Sequence, residues 1–237
     1  MATAVEAEIR KFDALADRWW DPSGPMKPLH RMNPLRTGWI AERLARAHGR
    51  TGRDLSGLTL LDVGCGAGLA SEAFARMGAA VTGLDAAGTA LEAARSHAAS
   101  AGLKITYREG TPEALAAEGA RFDAVVALEV IEHVEDRPAF LGALAALVKP
   151  GGQVFLSTLN RTPRSFLMAK LGAEYVLRML PVGTHDWRMF VTPGELGALL
   201  RHAGLAVTDL AGMTMEPLTG SWRESRDLSV NYLVEAR

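Results

Sequence analysis

The sequence predicts an α/β fold in which a mostly parallel, seven-stranded sheet carries helices on both faces. The first observation is the stretch 58–85, where an apolar run leads into a glycine-rich turn, a helical segment and a second apolar run that ends at Asp85. The second is that this alternation continues to residue 158, as parallel strands joined by crossover helices require. The third is that the last two apolar runs, after residue 204, have no helix between them, which predicts a closing hairpin.

Each element follows from apolar periodicity and from the residues that begin or end it. Asn33 and Pro34 suit the N-cap and first position of a helix, and Thr111-Pro112 and Thr192-Pro193 repeat the pattern. The segment 17–34 is rich in Pro, Gly and Trp, so no regular element is expected there. Helices are predicted at 4–17, 34–48, 69–77, 88–101, 113–118, 136–148, 165–180 and 190–203. Strands are predicted at 58–63, 79–84, 104–108, 122–128, 153–158, 205–210 and 229–236, with a loop at 211–227.

Length, charge and cysteine content restrict the classes of function. The 237 residues suit one domain, 1–237, with an N-terminal helical cap at 1–50 and a helical insertion at 160–190. The net charge of −1 gives no overall attraction to nucleic acid. The one cysteine, Cys65, excludes an internal disulfide, and the N-terminal residues lack the apolar run of a secretory signal. No run is long enough for a membrane span, so we expect a cytoplasmic protein.

The turn after the first strand has a composition typical of a nucleotide-cofactor site. Gly64, Gly66 and Gly68 form a G-x-G-x-G loop, and glycines tolerate positive φ and let a ligand approach the backbone because they lack a Cβ. Asp85 ends the second strand, where a carboxylate can accept hydrogen bonds from both hydroxyls of a ribose. Leu69 stands where a dinucleotide fingerprint needs its third glycine, which disfavours that class of site. An ordinary strand–turn–helix is the alternative.

Two acids and a histidine follow the fourth strand directly. Glu129, Glu132 and His133 are spaced i, i+3 and i+4, so they share one face if the segment is helical. Two carboxylates and an imidazole are ligands that suit Mg²⁺ or a softer divalent cation. His133 could instead act as the general base that removes a proton from a substrate, and a ligated nitrogen could not also take that proton. A solvated helix start is the third interpretation.

The N-terminal region holds residues in unusual places. Arg36 lies in the first turn of a predicted helix, where the helix dipole disfavours a cation, and this suggests a bidentate contact to a carboxylate. A solvated surface arginine is the alternative. Trp19 and Trp20 could either cap the core or line an apolar substrate pocket.

The insertion is apolar on most sides of its predicted helix, 165–180. From 160 to 188 it carries five Arg and Lys residues against two acidic ones. An apolar, basic helix can bind an anionic lipid surface or cover an apolar substrate. We expect residues 161–188 to contact anionic lipids; packing against the main domain or a second copy is the alternative. Substitution of Arg164, Phe166 and Leu167 is expected to weaken binding to liposomes.

Longer strings resemble known families. The segment LLDVGCGAGLASEAFARMGAAVTGLD resembles the glycine loop and acidic strand end of class I S-adenosylmethionine-dependent methyltransferases, whose fold is Rossmann-like. KFDALADRWWDPSGPMKPLHRMNPLRTGWI, the E-x-x-E-H segment and the stretch from STLNR to THD resemble bacterial ubiquinone-biosynthesis O-methyltransferases. The similarity covers most of the chain and fades in the last thirty or so residues.

The resemblance implies both cofactors and substrate. S-adenosylmethionine would be held by Arg36, Gly64, Gly66, Asp85 and Leu128, with Arg36 on its carboxylate and Leu128 beside its adenosine. A divalent cation such as Mg²⁺ would be bound by the E-x-x-E-H acids and histidine. The substrates would be 2-polyprenyl-6-hydroxyphenol and 3-demethylubiquinol, methylated by a protein peripherally associated with the inner membrane. Other ubiquinone-biosynthesis proteins are expected partners.

Two other functions are compatible with such a fold, because fold alone does not decide function. One is methylation of a different small phenolic acceptor, and the N-terminal tryptophans and basic insertion argue against it. The other is a non-catalytic, membrane-associated component of the biosynthetic complex. Intact G-x-G-x-G and E-x-x-E-H motifs argue against this second function, since a scaffold needs neither.

Overall fold

The computed structural model describes residues 18–167, 187–216 and 219–237. The strands are β1 (Thr59–Val63), β2 (Ala80–Asp85), β3 (Thr106–Glu109), β4 (Phe122–Leu128), β5 (Val148–Leu159), β6 (Val207–Met215), β7 (Trp222–Ser225) and β8 (Asn231–Ala236). The helices are α1 (Lys27–Ala47), α2 (Leu69–Arg76), α3 (Gly88–Ser100), α4 (Pro112–Ala117), α5 (Arg137–Leu147), α6 (Pro163–Ser165) and α7 (Pro193–His202). Short 3₁₀ turns lie at Ile131–His133 and Trp187–Met189.

The strands form one mixed sheet. In the described ranges its order is β3-β2-β1-β4-β5-β8-β6-β7. The pairs from β3 to β5 are parallel, whereas β8 and β7 pair antiparallel with their neighbours. The predicted α/β fold with a Rossmann-like sheet is therefore confirmed. The chain order reverses between β1 and β4, and the loops at the carboxyl ends of such strands form a ligand crevice.

Both faces of the sheet are covered, which explains the near-continuous apolar strands. Leu61, Val125 and Leu156 pack on one face with α5 and α7. Alternate residues of the same strands, such as Leu60 and Phe155, pack on the other face with α1 and α2. The core thus fixes the direction of each central strand and the position of its carboxyl end.

The start of α1 differs from the sequence expectation. The helix begins at Lys27 rather than at Pro34, and Pro34 lies inside it. Pro28 is in the first turn, where its missing N–H costs nothing. The prediction that Asn33 caps the helix is wrong, because its side chain donates to the Leu69 carbonyl oxygen at 3.0 Å instead. Burial of the face around Trp39 offsets the hydrogen bond that Pro34 removes.

The C-terminal region also differs. The predicted loop 211–227 is wrong, because β6 continues to Met215 and β7 pairs with it. The sheet therefore has eight strands among the described residues, where seven were expected. β7 is an edge strand whose Arg223 and Glu224 are exposed. An edge strand with little burial has no apolar alternation, so sequence periodicity does not reveal it.

The remaining expectations concern the cap of α7, two other predicted helices and membrane-spanning segments. α7 begins behind Thr192, whose side chain and Glu195 form a capping box, so the predicted N-cap is confirmed. The predicted helix 4–17 and most of the predicted helix 165–180 lie outside the described residues. Among the helices in the described ranges, none combines the length and apolar character needed to cross a membrane.

A charged cluster joins the amino ends of β1 and β4 to the start of β5. Asp123 accepts hydrogen bonds from the Thr59 backbone N–H at 2.8 Å and the Thr59 hydroxyl at 2.7 Å. Lys149 Nζ lies 2.9 Å from both carboxylate oxygens. Partial burial alone would raise the pKa of Asp123, but these hydrogen bonds outweigh it and lower the pKa from 3.8 to about 2.

The Asp123→Asn variant is expected to lose about 1–2 kcal/mol of unfolding free energy at neutral pH. The depressed pKa stabilises the fold above pH 3.8, and this contribution is lost as the pH falls towards about 2. The difference from the parent should therefore shrink in acid, as measured by urea denaturation at pH 7 and pH 3. Glu92→Gln, on the exposed side of α3, is the control. An equal difference at both pH values would contradict the assignment.

Candidate functional site

The glycine loop between β1 and α2 lies at the reversal point of the sheet. Gly64, Gly66 and Gly68 all have positive φ, of 68°, 52° and 86°, as the sequence predicts for this turn. A Cβ on each would meet a protein side chain: Val130 at 2.6 Å, Trp19 at 2.5 Å and the Tyr107 hydroxyl, respectively. Glycine is therefore required at all three positions by backbone conformation and by close packing within the chain itself.

Asp85, at the end of β2, ties the glycine loop to the sheet. One carboxylate oxygen accepts the Gly66 backbone N–H at 2.7 Å, and the other accepts the Ala87 N–H at 2.8 Å. A carboxylate has about four acceptor positions, so these bonds leave capacity for ribose hydroxyls. The predicted acid thus lies directly beside the loop.

Arg36 lies on α1 and is a candidate residue of the same site. Its side chain is buried, so the surface alternative considered for it is wrong. One guanidinium nitrogen donates to Asn33 Oδ1 at 3.4 Å, and Nε has no hydrogen-bond partner in the part of the chain that is described. Burial lowers the pKa of Arg36, and the charges of Glu129, Asp62 and Glu132 oppose that shift. A buried cation with an unused donor suits a carboxylate ligand.

Asp62 is a site residue that the sequence reasoning missed. It lies within β1, is buried, and accepts a hydrogen bond from the Ser71 hydroxyl at 2.6 Å. Burial raises its pKa to about 6, and the neighbouring Asp85 adds to this while Ser71 and Arg36 act against it. The sequence feature that could have identified it is an acid inside a largely apolar strand, because a buried carboxylate needs a hydrogen-bond donor or an opposite charge.

The E-x-x-E-H segment is not one helical turn, so the expected common helical face is wrong. Glu129 has φ +57°, the only positive value at a non-glycine residue in the described ranges, and the 3₁₀ turn starts at Ile131. Glu129 instead accepts the Ser157 hydroxyl at 2.7 Å. This strained conformation turns the acid towards the end of β5, and such strain is common at functional sites.

Glu132 is buried beside Glu129. Its Oε2 accepts the Thr158 hydroxyl at 2.8 Å, and Oε1 has no partner among the described residues. Burial, and next the charge of Glu129, raise the pKa of Glu132 to about 7, while His133 acts in the opposite direction. Glu129, Glu132 and His133 are therefore neighbours in space as well as in sequence.

The donor types of these three residues fit a divalent cation, yet they are not gathered as a preformed ligand set. In the described ranges, no group of three or more His, Cys, Asp or Glu side chains is positioned to hold a metal ion. The metal site stays a prediction.

Leu128 ends β4 and is half-buried beside the face of the sheet that carries α1. It thus lies one residue before Glu129, at the same sheet edge as Asp85.

Cys65, in the glycine loop, is buried, and burial raises the pKa of its thiol well above the ordinary value. A thiol in that environment is a packing residue rather than a nucleophile.

Comparison with known proteins places the chain in a family. A family profile described as a methyltransferase domain matches residues 35–210. Ubiquinone biosynthesis O-methyltransferases are similar along nearly the whole chain. The protein of that name from Methylobacterium nodulans is 51% identical over 97% of this chain and 93% of its own. The one from Dinoroseobacter shibae is 52% identical over 98% of this chain and 95% of its own.

Solved structures agree at the level of the fold. Magnesium protoporphyrin IX methyltransferase from Synechocystis PCC 6803, solved with bound S-adenosylhomocysteine, superposes with a TM-score of 0.68 at 21% identity, covering 96% of this chain and 94% of that one. A methyltransferase from Aquifex aeolicus gives a TM-score of 0.62 at 16% identity, covering 96% and 97%. The chain has the class I S-adenosylmethionine-dependent methyltransferase fold and belongs to the family of ubiquinone biosynthesis O-methyltransferases.

Proposed function

We propose that this protein transfers a methyl group from S-adenosylmethionine to catechol-type hydroxyls of polyprenylated ubiquinone precursors, 2-polyprenyl-6-hydroxyphenol and 3-demethylubiquinol. The observation that carries the proposal is the position of Arg36. This buried cation interacts electrostatically with Asp62, at the glycine-loop end of β1. It also interacts with Glu129 and Glu132, which follow the end of β4. A cofactor on the loop would therefore face the acids and His133.

The residues present fit S-adenosylmethionine. Arg36 has an unused buried donor for the cofactor carboxylate, and Asp85 can accept from the ribose hydroxyls. Leu128 supplies an apolar contact for the adenosine. These assignments follow the resemblance and the local chemistry of each residue.

When bound, S-adenosylmethionine supplies an electrophilic methyl group on its sulfonium. His133 removes the proton from the substrate hydroxyl, so that the ring oxygen attacks as a phenolate. The new bond joins that oxygen to the methyl carbon, the carbon–sulfur bond breaks, and the proton on the imidazole passes to solvent. Arg36 and Asp85 align the reacting atoms, which is the main contribution a protein makes to such a displacement.

A divalent cation is the second proposal for the same acids. Glu129, Glu132 and His133 would hold it, and the ion would lower the pKa of a catechol hydroxyl by Lewis-acid action. The unpaired buried Glu132 Oε1 beside a second carboxylate supports this, because a cation would relieve their repulsion. His133 is then a ligand and could not also be the base.

The test is methyl transfer from labelled S-adenosylmethionine to a short-chain polyprenyl catechol, with and without a chelator. Labelled product that is lost on chelation and restored by Mg²⁺ or Zn²⁺ supports both the activity and the metal site. If product still forms in the presence of the chelator, the result supports the activity with His133 as base and contradicts the metal site. If the cofactor binds but no product forms in either condition, the result would contradict the ubiquinone assignment and favour another phenolic acceptor or a non-catalytic role.

We also propose that the protein is cytoplasmic and contacts anionic lipids of the inner membrane through residues 161–188, where it would meet its apolar substrate and other ubiquinone-biosynthesis proteins. Phe166 and Leu167 support this, since their exposed fractions are 38% and 57%. Arg164, in the adjacent α6, is also exposed, although it pairs with Asp227 at 2.6 Å. Most of the remaining insertion lies outside the described residues.

Replacing both Phe166 and Leu167 by serine is expected to weaken binding to anionic liposomes by roughly tenfold or more, because each buried CH₂ contributes about 0.8 kcal/mol. S-adenosylhomocysteine affinity should be unchanged. Val207 and Leu210, exposed on β6, give a matched control when both are replaced by serine. Equal cosedimentation of both double variants and the parent would contradict a membrane-binding role for the insertion.

A further inference from the structure

Two adjacent tryptophans pack directly on the glycine loop, and the sequence reasoning left their role open. The Trp19 ring is buried and takes the space that a Cβ on Gly66 would need, with its Cζ2 2.5 Å from that position. The Trp20 indole N–H donates to the Ala67 carbonyl oxygen at 3.0 Å. We call Trp19 and Trp20 the tryptophan clasp. It contacts two consecutive residues of the loop.

The clasp is linked to α3 and, through α3, to α2, the helix that follows the loop. The Trp20 indole stacks on the His97 imidazole of α3, with ring centroids 3.4 Å apart and planes 4° from parallel. His97 Nδ1 lies 2.6 Å from Glu72 Oε1 of α2. Arg76 donates to the other Glu72 oxygen at 2.8 Å. The chain of contacts therefore runs from the clasp through α3 to the helix that begins at the loop.

Glu72 is the unusual member of this chain. Its side chain is fully buried, and burying a carboxylate is costly unless hydrogen bonds and opposite charges offset the loss of water. Arg76 and His97 provide those contacts, and Glu72 lies one turn after Gly68, whose carbonyl oxygen accepts the Glu72 N–H. A second contact fixes the clasp from the other side, since His30 of α1 lies 2.8 Å from the Trp19 carbonyl oxygen.

The loop is thus held between two groups. Asp85 binds the Gly66 N–H from the sheet, and the clasp binds the Ala67 carbonyl and covers Gly66. We propose that the tryptophan clasp sets the affinity and release rate of the cofactor, with Trp20 and His97 as positioning residues that hold the loop in its binding conformation. This inference rests on the S-adenosylmethionine site proposed above.

The experiment measures S-adenosylhomocysteine dissociation by stopped-flow for the full-length parent and for Trp20→Phe and His97→Ala. Trp20→Phe keeps a ring for stacking but removes the bond to Ala67, and His97→Ala removes the stack. Each should raise the dissociation rate about five- to tenfold, as loss of one hydrogen bond or aromatic pair predicts. The KM for S-adenosylmethionine should rise in parallel, with kcat within about twofold of the parent, as expected when the lost contact acts equally on ground and transition states.

Trp39→Phe is the matched control, because Trp39 is also buried and donates an indole hydrogen bond, at 3.2 Å to Glu224, but packs against Phe155 in the core. Thermal denaturation of every variant separates lost stability from altered release. Dissociation rates equal to those of the parent and of Trp39→Phe would overturn the proposal, whatever the melting temperatures. A parent that binds no S-adenosylhomocysteine would overturn the proposed function itself and this inference with it.

Discussion

The His133→Ala variant is expected to lower kcat for O-methylation by about 10²–10⁴-fold, the usual contribution of a positioned general base. His133 follows directly on Glu132, and its charge acts on that buried carboxylate at the end of β4. Without the imidazole, the proposed acceptor of the ring-hydroxyl proton is lost. The KM for S-adenosylmethionine should change little, because Arg36 and Asp85 hold the cofactor. The measurement is steady-state methyl transfer to the polyprenyl catechol.

Two controls sharpen this prediction. His202→Ala removes an exposed histidine at the end of α7 and should leave kcat unchanged. Assays of His133→Ala with excess Mg²⁺ or Zn²⁺ separate the two roles, because extra cation would restore a weakened metal site but not a missing base. A kcat equal to that of the parent would contradict both roles for His133.

The Arg36→Ala variant is expected to weaken S-adenosylhomocysteine binding by roughly 10–100-fold, which corresponds to about 1.5–3 kcal/mol for a hydrogen bond to a charged group. The guanidinium is 4% exposed and keeps Nε unpaired within the described chain, so a ligand carboxylate would gain a desolvated, charge-assisted contact. Calorimetric titration measures the affinity. Arg36→Lys, which keeps the charge but loses the fork of donors, should recover only part of it.

Arg36→Ala should also destabilise the fold in a pH-dependent way. Asp62, Glu129 and Glu132 would lose the positive charge that acts on them, so the variant should lose unfolding free energy wherever these acids are ionised. The pKa of Asp62 is already raised to about 6, so this acid favours the folded state below pH 3.8 and that contribution is lost as the pH rises through 6. The variant should therefore be more destabilised at pH 8 than at pH 5. A pH-independent loss would contradict the proposed coupling of Arg36 to Asp62.

The strands were predictable where burial on both faces produces continuous apolar runs. β1, β2 and β4 lie within a residue or so of their predicted bounds, and the G-x-G-x-G turn has the positive φ values that its glycines imply. The exposed edge strand β7 carries no such pattern. The start of α1 was also misplaced, because Pro34 is a helix breaker by local rules, yet the helix passes through it with the face around Trp39 buried.

The sequence by itself determined the fold class, the glycine loop, the acid at the end of β2 and the residue types of the E-x-x-E-H segment. Each of these depends on local conformation or on a short spacing. Only the tertiary structure decided that Asp62 joins the site, that Glu129 leaves the helical turn, and that Trp20 is clasped to His97 and the loop. These contacts join residues from different elements, and their energies come from burial and desolvation, which depend on what surrounds a side chain and not on its neighbours along the chain.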